Sequence, residues 1–289
     1  MLRQGGYEVR ILPSAGGRLA SWTRNPGSGP HDLLRPLGVS GYEPHDWPKE
    51  GAFPMIPFAN RLPFGTVRAG RLCARPDIGL QGFVFHGFAH RQEWSVSAMS
   101  EDSIDMALMH SGDTHGWPWP WAAKQRITLG AYGLRVEFEV ANLANVAAPL
   151  ALGWHPYFAV GADIRAEDLR FAADKCNHLD GAGAAVLDDG RPASFSMTPG
   201  ATNAYSDWSG YLELRCNDDL TMSIRCEGAQ HLVIHRPSVG EYLCIEPATE
   251  LPGWMGKDDY SAHRLCTRRE PAAINHLLRD KAFQKLNSA

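Results

Sequence analysis

Apolar and polar residues alternate with a period of two in several stretches of the chain, and each stretch predicts a β-strand with one buried face. The clearest is 134–140, where apolar residues alternate with charged ones. Residues 212–216 and 220–226 alternate in the same way on either side of the polar turn 217–219, which predicts a hairpin. Three further stretches also predict strands: 7–12, 94–97 and 104–108.

Turn residues are dense between these stretches, since the 289 residues include 29 glycines and 20 prolines. Many short strands joined by loops are typical of a large antiparallel β-sandwich, and the alternation of strands and helices that marks a parallel sheet does not appear. No change in composition divides the chain. We therefore expect an all-β fold of large twisted antiparallel sheets, in a single domain over residues 1–289.

The tail of the chain shows a helical pattern instead. After a proline, five apolar residues fall near one face of a helix: Ile274, Leu277, Leu278, Phe283 and Leu286. This predicts a short C-terminal amphipathic helix over residues 271–287. Packing against the sheet is favoured over a dimer contact for its apolar face, and we expect a monomer or a homodimer.

Charge and apolar runs exclude some classes of protein. The 28 basic and 32 acidic residues give a net charge of −4, which does not suit a nucleic-acid partner. Apolar runs are too short to span a membrane, and the N-terminus lacks the apolar block of a secretory signal, so we expect a cytoplasmic protein. The six cysteines form no CxxC pair, and we expect them to be free, buried apolar groups: Cys73, Cys176, Cys216, Cys226, Cys244 and Cys266.

The first candidate for chemistry is His155, within the run Gly-Trp-His-Pro-Tyr-Phe at 153–158. The following proline pushes His155 toward an extended backbone, and aromatic residues lie on both sides. A positioned, partly dry imidazole is a natural proton donor. A histidine that only packs in the core explains the same pattern equally well.

Glu246 is the second candidate, because it ends an apolar strand and precedes a proline. Partial burial there would raise the pKa of its carboxyl group and make it a better base. The alternative is a glutamate exposed at the end of a strand, which is the common situation for charged residues.

Two shorter motifs offer groups that recognise hydroxyls. Asn60 and Arg61 adjoin in an apolar stretch, and their amide and guanidinium groups suit the recognition of hydroxyls. The alternative is a turn in which the asparagine caps local backbone and the arginine is a surface charge. His86 precedes Gly87, which lets the backbone approach a ligand closely, but a single His-Gly pair is weak evidence.

Together these four segments resemble the aldose 1-epimerase (galactose mutarotase-like) family. The motifs occur in the family's order: Asn60-Arg61, His86-Gly87, His-Pro-Tyr-Phe at 155–158, and Glu-Pro-x-Thr at 246–249. The resemblance covers roughly residues 7 to 268 and leaves the tail outside it. It implies a β-supersandwich fold, in agreement with the strand pattern.

The resemblance also implies an activity and roles for residues. It implies that Glu246 is the general base and His155 the general acid of an enzyme that interconverts the α and β anomers of a hexose. The base removes the C1 hydroxyl proton while the acid protonates the ring oxygen, so the ring opens and recloses. His86 and Arg61 would donate hydrogen bonds to sugar oxygens. This chemistry needs no cofactor or metal.

One departure from the family affects sugar binding. The family often carries an aspartate in an Asp-x-x-aromatic segment that binds sugar hydroxyls, and Thr202 stands at the corresponding position here. A threonine can still bond a hydroxyl, and Asp207 lies nearby in sequence. The change leaves the preferred sugar open.

Two other functions remain open at this point. One is a catalytically silent carbohydrate-binding or regulatory domain, which the loss of the aspartate favours and the presence of both His155 and Glu246 disfavours. The other is an epimerase for a phosphorylated sugar. That would need several cations around the pocket, and beyond Arg61 and Arg71 the sequence locates none.

Other noticeable patterns favour structural roles. The run Trp-Pro-Trp-Pro-Trp at 117–121 could stack on a sugar, but such large rings are expected in the core. The pairs His86 with His90 and His231 with His235 have loose spacing and no acidic or cysteine ligand close in sequence. We therefore predict no metal site.

Overall fold

The computed structural model describes residues 1–25, 27, 29–38, 48–62, 67–69, 72–74, 84–112, 114–180, 183–186, 197–218, 220–256, 265–266 and 272–280. Nearly all regular structure within them is β, with a few short 3₁₀ helices: Pro13–Ala15, Ala89–Arg91, Ala166–Asp168 and Trp254–Gly256. The prediction of an all-β fold is confirmed. None of the helices described here has the length and apolar character that a membrane span requires.

The strands are numbered in chain order. They are β1 Leu2–Gln4, β2 Tyr7–Leu12, β3 Arg18–Arg24, β4 His31–Asp32, β5 Ala52–Met55, β6 Arg61–Leu62, β7 Val67–Ala69, β8 Leu72–Ala74, β9 Val84–Phe85, β10 Ser95–Met99, β11 Ser103–His110, β12 Trp121–Gly130, β13 Gly133–Asn142, β14 Ala148–Pro149, β15 Gly153–Ala159, β16 Leu169–Leu179, β17 Ala185–Val186, β18 Thr202–Asn217, β19 Leu220–Glu227, β20 His231–His235, β21 Tyr242–Ala248, β22 Leu265–Cys266 and β23 Ala272–Asp280.

Antiparallel pairing joins most strands into one long ladder, which runs β10, β11, β12, β13, β23, β19, β18, β20, β21, β15, β5, β3, β2, β1. The long strand β18 connects its two halves, because its first residues pair with β20 and its last residues pair with β19. The two halves form the large antiparallel sheets predicted from the sequence.

The alternating stretches fold as predicted. Residues 134–140 lie in β13, where Leu134, Val136, Phe138 and Val140 are buried. The predicted hairpin is β18 with β19, and the other predicted strands are β2, β10 and β11. The tryptophans of the Trp-Pro-Trp-Pro-Trp run are almost completely buried in the main core, so their structural role is confirmed.

The predicted C-terminal helix over 271–287 is wrong where the structure describes it. Residues 272–280 form strand β23, which pairs with β13 on one side and with β19 on the other. Residues 275–279 pair on both edges, and this long-range gain in hydrogen bonding outweighs the local helical periodicity. Ile274 and Leu278 lie opposite the buried residues Phe138 and Leu134. Phe283 and Leu286 lie outside the described residues.

Four of the six cysteines are described in full, and all four are free. Cys216, Cys226 and Cys244 are buried as expected, whereas Cys176 is partly exposed. The side chains of Cys73 and Cys266 lie outside the described residues, as does Arg71. Strand β23 brings residues close to the C-terminus into the centre of the sheet, which is consistent with our proposal of one domain over the whole chain.

Candidate functional site

Two adjacent strands, β15 and β21, are buried on both faces and carry the two principal candidates. On one face their apolar side chains, such as Phe158 and Ile245, join the main core. The other face carries His155 and Glu246. Such strands can hold polar groups only where those groups have partners or serve a ligand.

The register of β15 with β21 brings the histidine and the glutamate together. Gly153 pairs with Ala248 and Tyr157 with Cys244, so His155 lies opposite Glu246. Nε2 of His155 is 3.3 Å from Oε1 of Glu246, and each side chain is only 4 % exposed. The second carboxylate oxygen of Glu246 is buried and has no hydrogen-bond partner among the described residues. Glu246 also lines the cavity described below.

Neighbouring strands extend the same face in both directions. His235 of β20 pairs with Cys244, and Thr202 of β18 pairs with His235. The Oγ1 of Thr202 and Nδ1 of His235 form a hydrogen bond of 2.8 Å. On the opposite side, Phe53 of β5 pairs with His155. A row of side chains from five strands thus forms one wall of the site.

The Asn-Arg and His-Gly motifs meet on a separate small ladder. Strand β6 pairs with β9 through Arg61 and Phe85, and the backbone N–H of His86 donates to the carbonyl of Asn60 at 2.8 Å. Both Asn60 and His86 have positive φ, 56° and 60°, which is uncommon outside glycine. Strained backbone held by its surroundings is frequent at functional sites.

Glycine is required beside both motifs. A Cβ on Gly87 would lie 2.0 Å from the carbonyl oxygen of Ile56, so the chain can cross there only without a side chain. A Cβ on Gly183 would lie 2.4 Å from Cδ of Arg61. On its other side the guanidinium of Arg61 lies 5.0 Å from the ring centre of Phe85. Arg61 is therefore held between an aromatic ring and a glycine, which fixes its planar group before a ligand binds.

All six predicted site residues line one cavity, namely Asn60, Arg61, His86, His155, Thr202 and Glu246. The amide nitrogen of Asn60 is buried and has no hydrogen-bond partner among the described residues. Asp207, by contrast, is exposed and does not line the cavity.

Sequence reasoning missed several residues of this cavity, among them Lys49, Tyr157 and His235. Tyr157 belongs to the His-Pro-Tyr-Phe motif and could have been included on that basis. His235 shares the strand face of His231, and its position became meaningful only with the register of β20. Lys49 lies in an irregular segment after a proline, and no periodicity or motif marks it.

Aromatic rings fix the orientation of the His155 imidazole. It stacks between Phe53 and Tyr157, with ring centres 4.8 and 4.7 Å away. The ring of His86 meets it edge-on at 4.7 Å, and Nδ1 of His86 lies 2.9 Å from the sulfur of Met55. The extended backbone and the aromatic neighbours expected for His155 are both present.

Burial shifts both members of the central pair toward their neutral forms. It raises the pKa of Glu246 to about 8, although the nearby charge of Lys49 acts in the opposite direction. It also lowers the pKa of His155 well below 6.5, helped by the positive charge of Lys49. The upward shift expected for Glu246 is confirmed. The ligand-free pair therefore favours a neutral acid beside a neutral imidazole near pH 7.

Thr249, the last residue of the Glu-Pro-x-Thr motif, holds the two strands at their ends. Its Oγ1 accepts a hydrogen bond from the backbone N–H of Leu152 at 2.9 Å and donates to the carbonyl of the same residue at 3.3 Å. Leu152 directly precedes β15, so this clamp fixes the start of the strand that carries His155 relative to β21.

The histidine and glutamate side chains of the site are also of the kind that binds metal ions. The nearest donor atoms of His86, His155 and Glu246 all lie within 4.8 Å of one another, and imidazole and carboxylate are common ligands of transition metals. Proximity of three buried groups does not by itself define a metal centre, because acid–base catalysis requires the same groups. The absence of a metal stays a prediction.

The antiparallel β-fold is that of galactose mutarotase-like proteins. The chain belongs to the aldose 1-epimerase family, whose sequence pattern matches residues 2–236. Glu246 lies beyond the matched stretch, so its assignment rests on the Glu-Pro-x-Thr motif and on its place opposite His155.

Individual relatives are distant. An uncharacterized protein of Escherichia coli K12, YihR, is 29% identical over 106 residues, which span 36% of this chain and 34% of that protein, about a third of its length. The fold resembles a putative aldose 1-epimerase from E. coli K12, with 20% identity, 97% of each chain covered and a TM-score of 0.79. It also resembles a galactose mutarotase-like protein from Clostridium acetobutylicum, with 17% identity, 96% and 93% of the two chains covered and a TM-score of 0.78. At such identities these structures establish the fold alone.

Proposed function

We propose that the protein is an aldose 1-epimerase that interconverts the α and β anomers of a hexose through Glu246 and His155. The observation that carries the proposal is the buried contact of 3.3 Å between these two side chains on the wall of the cavity. The C1 hydroxyl and the ring oxygen of a sugar share one carbon atom. A base and an acid that serve both oxygens must therefore lie only a few ångströms apart.

In the first half of the reaction, Glu246 accepts the proton of the C1 hydroxyl. His155 donates a proton from Nε2 to the ring oxygen, the bond between C1 and the ring oxygen breaks, and an open-chain aldehyde forms. Rotation about the C1–C2 bond presents the other face of the carbonyl. In the second half the proton transfers are reversed, and the ring closes as the other anomer.

The neutral ligand-free pair and the working pair carry the same number of protons. The neutral pair holds one proton on Glu246, and the working pair holds one proton on His155. A single proton transfer across the 3.3 Å contact interconverts them. A bound sugar favours the working form, because its C1 hydroxyl donates to the carboxylate while its ring oxygen accepts from the imidazolium.

Surrounding groups are positioned to bind the sugar. We assign Asn60, Arg61, His86 and Thr202 to hydroxyl and ring oxygens, since all four line the cavity. Arg61 is rigid before binding, and the unsatisfied amide of Asn60 gains a partner when a hydroxyl binds. The ring of Tyr157, which also lines the cavity, offers an apolar surface to the C–H groups of a pyranose.

Saturation-transfer NMR between anomers tests the proposal directly, with D-glucose and D-galactose as substrates. We expect the wild type to exchange anomers faster than buffer, and Glu246→Gln and His155→Asn to reduce the enzymatic rate by about 10²- to 10⁴-fold, the usual contribution of a general acid or base. Wild-type activity with full activity in both variants would remove these residues from their roles.

The matched control is His231→Gln. His231 is a buried histidine on the same strand as His235 and does not line the cavity. This variant controls for the effect of altering a buried histidine on folding, and we expect it to keep the exchange activity. Circular dichroism of all the variants verifies that losses of rate do not reflect unfolding.

The rival function is a silent sugar-binding domain. It predicts binding without exchange, and it gives no reason for a buried acid–base pair in contact inside the pocket. Binding of a sugar by the wild type with no acceleration of anomer exchange would favour the rival.

A further inference from the structure

The cavity has an unusual balance of charge for a site that binds a neutral sugar. Its described lining contains two cationic side chains, Lys49 and Arg61, and Glu246 is the single carboxylate within that lining. Burial favours the protonated, neutral form of that carboxylate. Among the described lining residues, the two basic side chains therefore contribute most of the charge.

Lys49, Arg61 and His235 line the same cavity. The pKa of His235 is lowered by burial first, and then by the positive charges of Lys49 and Arg61. Both cations are therefore close enough to act on the same imidazole. His235 in turn bonds to Thr202 at 2.8 Å. All four residues line the cavity, and we call them the cationic corner.

Thr202 occupies the position where the resemblance places a sugar-binding aspartate. A carboxylate there would lie beside His235 and would neutralise part of the cationic corner. The neutral threonine leaves the positive charge in place and keeps a hydroxyl for hydrogen bonding. Thr202, which stands in place of a carboxylate, thus lines the same cavity as the two cations.

Lys49 experiences surroundings that disfavour its charge. Burial lowers the pKa of its ammonium group to about 8, even though Cys244 and Glu246 act in the opposite direction. A bound anion would stabilise the ammonium form. The lysine is thus better suited to hold a charged group than a neutral hydroxyl.

We propose that the corner formed by Lys49, Arg61, Thr202 and His235 binds an anionic group on the sugar, so that the substrate is an acidic aldose. This rests on the proposed function, and it narrows the substrate class. The C1 hydroxyl must be free for ring opening, so the anion is carried by another carbon, as in a hexuronate or a hexose 6-phosphate. The carboxylate and the phosphate share the same recognition chemistry, and the experiment distinguishes them.

The test compares kcat/KM for anomer exchange of D-glucose, D-galactose, D-glucuronate and D-glucose 6-phosphate, each corrected for its rate in buffer. We expect at least one acidic sugar to exceed the neutral sugars by about tenfold or more, the gain of one charge-assisted contact. Which acidic sugar is preferred shows whether the corner fits a carboxylate or a phosphate.

Two variants at position 202 distinguish the effect of side-chain charge from the effect of side-chain shape. Thr202→Asp restores a carboxylate, and Thr202→Asn has a similar size without the charge. We expect Thr202→Asp to lower the ratio of acidic to neutral kcat/KM by about tenfold or more, and Thr202→Asn to lower it much less. Lys49→Met should also lower this ratio, mainly through a higher KM for the acidic sugar. Each variant is measured at its own pH optimum, because Lys49 also influences Glu246.

The outcomes distinguish the two proposals. Exchange of neutral sugars as fast as acidic ones, or an equal loss for both classes in Thr202→Asp, overturns the anion site and leaves the epimerase intact. If no sugar is exchanged, the epimerase proposal fails, and calorimetric titration with the same four sugars decides the anion site. The anion site is supported if an acidic sugar binds, Thr202→Asp weakens this binding and Thr202→Asn preserves it. Any other result, including no binding at all, rejects the anion site.

Discussion

In the proposed mechanism His155 and Glu246 hold one proton between them, and their shifted pKa values set the pH range in which they do. Above about 8 the pair loses its proton from Glu246, and well below 6.5 it gains a second proton on His155. We therefore expect a bell-shaped profile of kcat/KM, with its alkaline limb near pH 8 and its acidic limb below pH 6.5.

The profile is measured by anomer exchange from pH 5 to 9.5, with the buffer rate subtracted at each pH. Because the two groups are coupled, the limbs report the pair and not one residue. His231→Gln should reproduce the wild-type profile. A rate that continues to rise through pH 9 would contradict a one-proton pair.

Gly183 keeps space for the guanidinium of Arg61, and this can be tested with a single methyl group. In Gly183→Ala the new Cβ would lie 2.4 Å from Cδ of Arg61, so the arginine must move. We expect KM for the sugar to rise about tenfold, the effect of losing one well-placed hydrogen bond to a charged group, while kcat changes less.

Gly200→Ala is the matched control for this change. Gly183 and Gly200 have similar positive φ angles, 76° and 84°, so alanine is strained to a similar degree at both. At Gly200 the nearest atom to the new Cβ is 3.7 Å away, and Gly200 does not line the cavity. An equal change of KM in the two variants would mean that backbone strain, and not Arg61, is responsible.

At the scale of elements, the pairing of β15 with β21 sets the distance between acid and base, and Thr249 fixes the ends of these strands. Thr249→Val keeps the shape but leaves the N–H of Leu152 without its side-chain acceptor. We expect a loss of about 1–3 kcal/mol in the free energy of unfolding, measured by urea denaturation, and a lower kcat. Thr249→Ser retains the hydroxyl and should restore most of both.

The strands themselves show how far local pattern determines this fold. In β13, alternation identifies the strand and its buried face, because one face of the sheet meets the core and the other does not. In β23, the spacing of Ile274, Leu277 and Leu278 fits a helix, yet the segment is a strand between β13 and β19. The local sequence carries no information about two strands, distant in the chain, that leave space for a third strand between them.

The residues of the site likewise fall into those that a local pattern predicts and those that it does not. His155 and Glu246 were identifiable because each belongs to a short motif with its own backbone constraints. The contribution of Lys49 depends on which strands bring His235 and Glu246 beside it, and only the assembled sheet determines that. Groups marked by local chemistry could be predicted from the sequence, whereas groups that act through long-range proximity could not.

At the scale of the whole molecule, the buried carboxyl group of Glu246 makes stability depend on pH. Its pKa in the folded protein, about 8, is higher than that of an unfolded chain. As the pH rises from the ordinary range of a glutamate to about 8, the unfolded chain releases its proton first, so the folded state loses stability. Above about 8 both states are ionised, and the loss stays constant.

Glu246→Gln removes this titration and should be more stable than the wild type at alkaline pH. Thermal unfolding from pH 4 to 9 measures the difference in Tm. We expect it to grow with pH and to level off above about 8. Each kcal/mol of this penalty would correspond to a difference of roughly 2 °C in a chain of this size. The control is Glu241→Gln, at an exposed glutamate just before β21, for which we expect a flat difference. If Glu246→Gln also gives a flat difference, the carboxyl group is not held in its neutral form. A stabilised but inactive variant would show that the chain gives up stability to keep a titratable group inside its cavity.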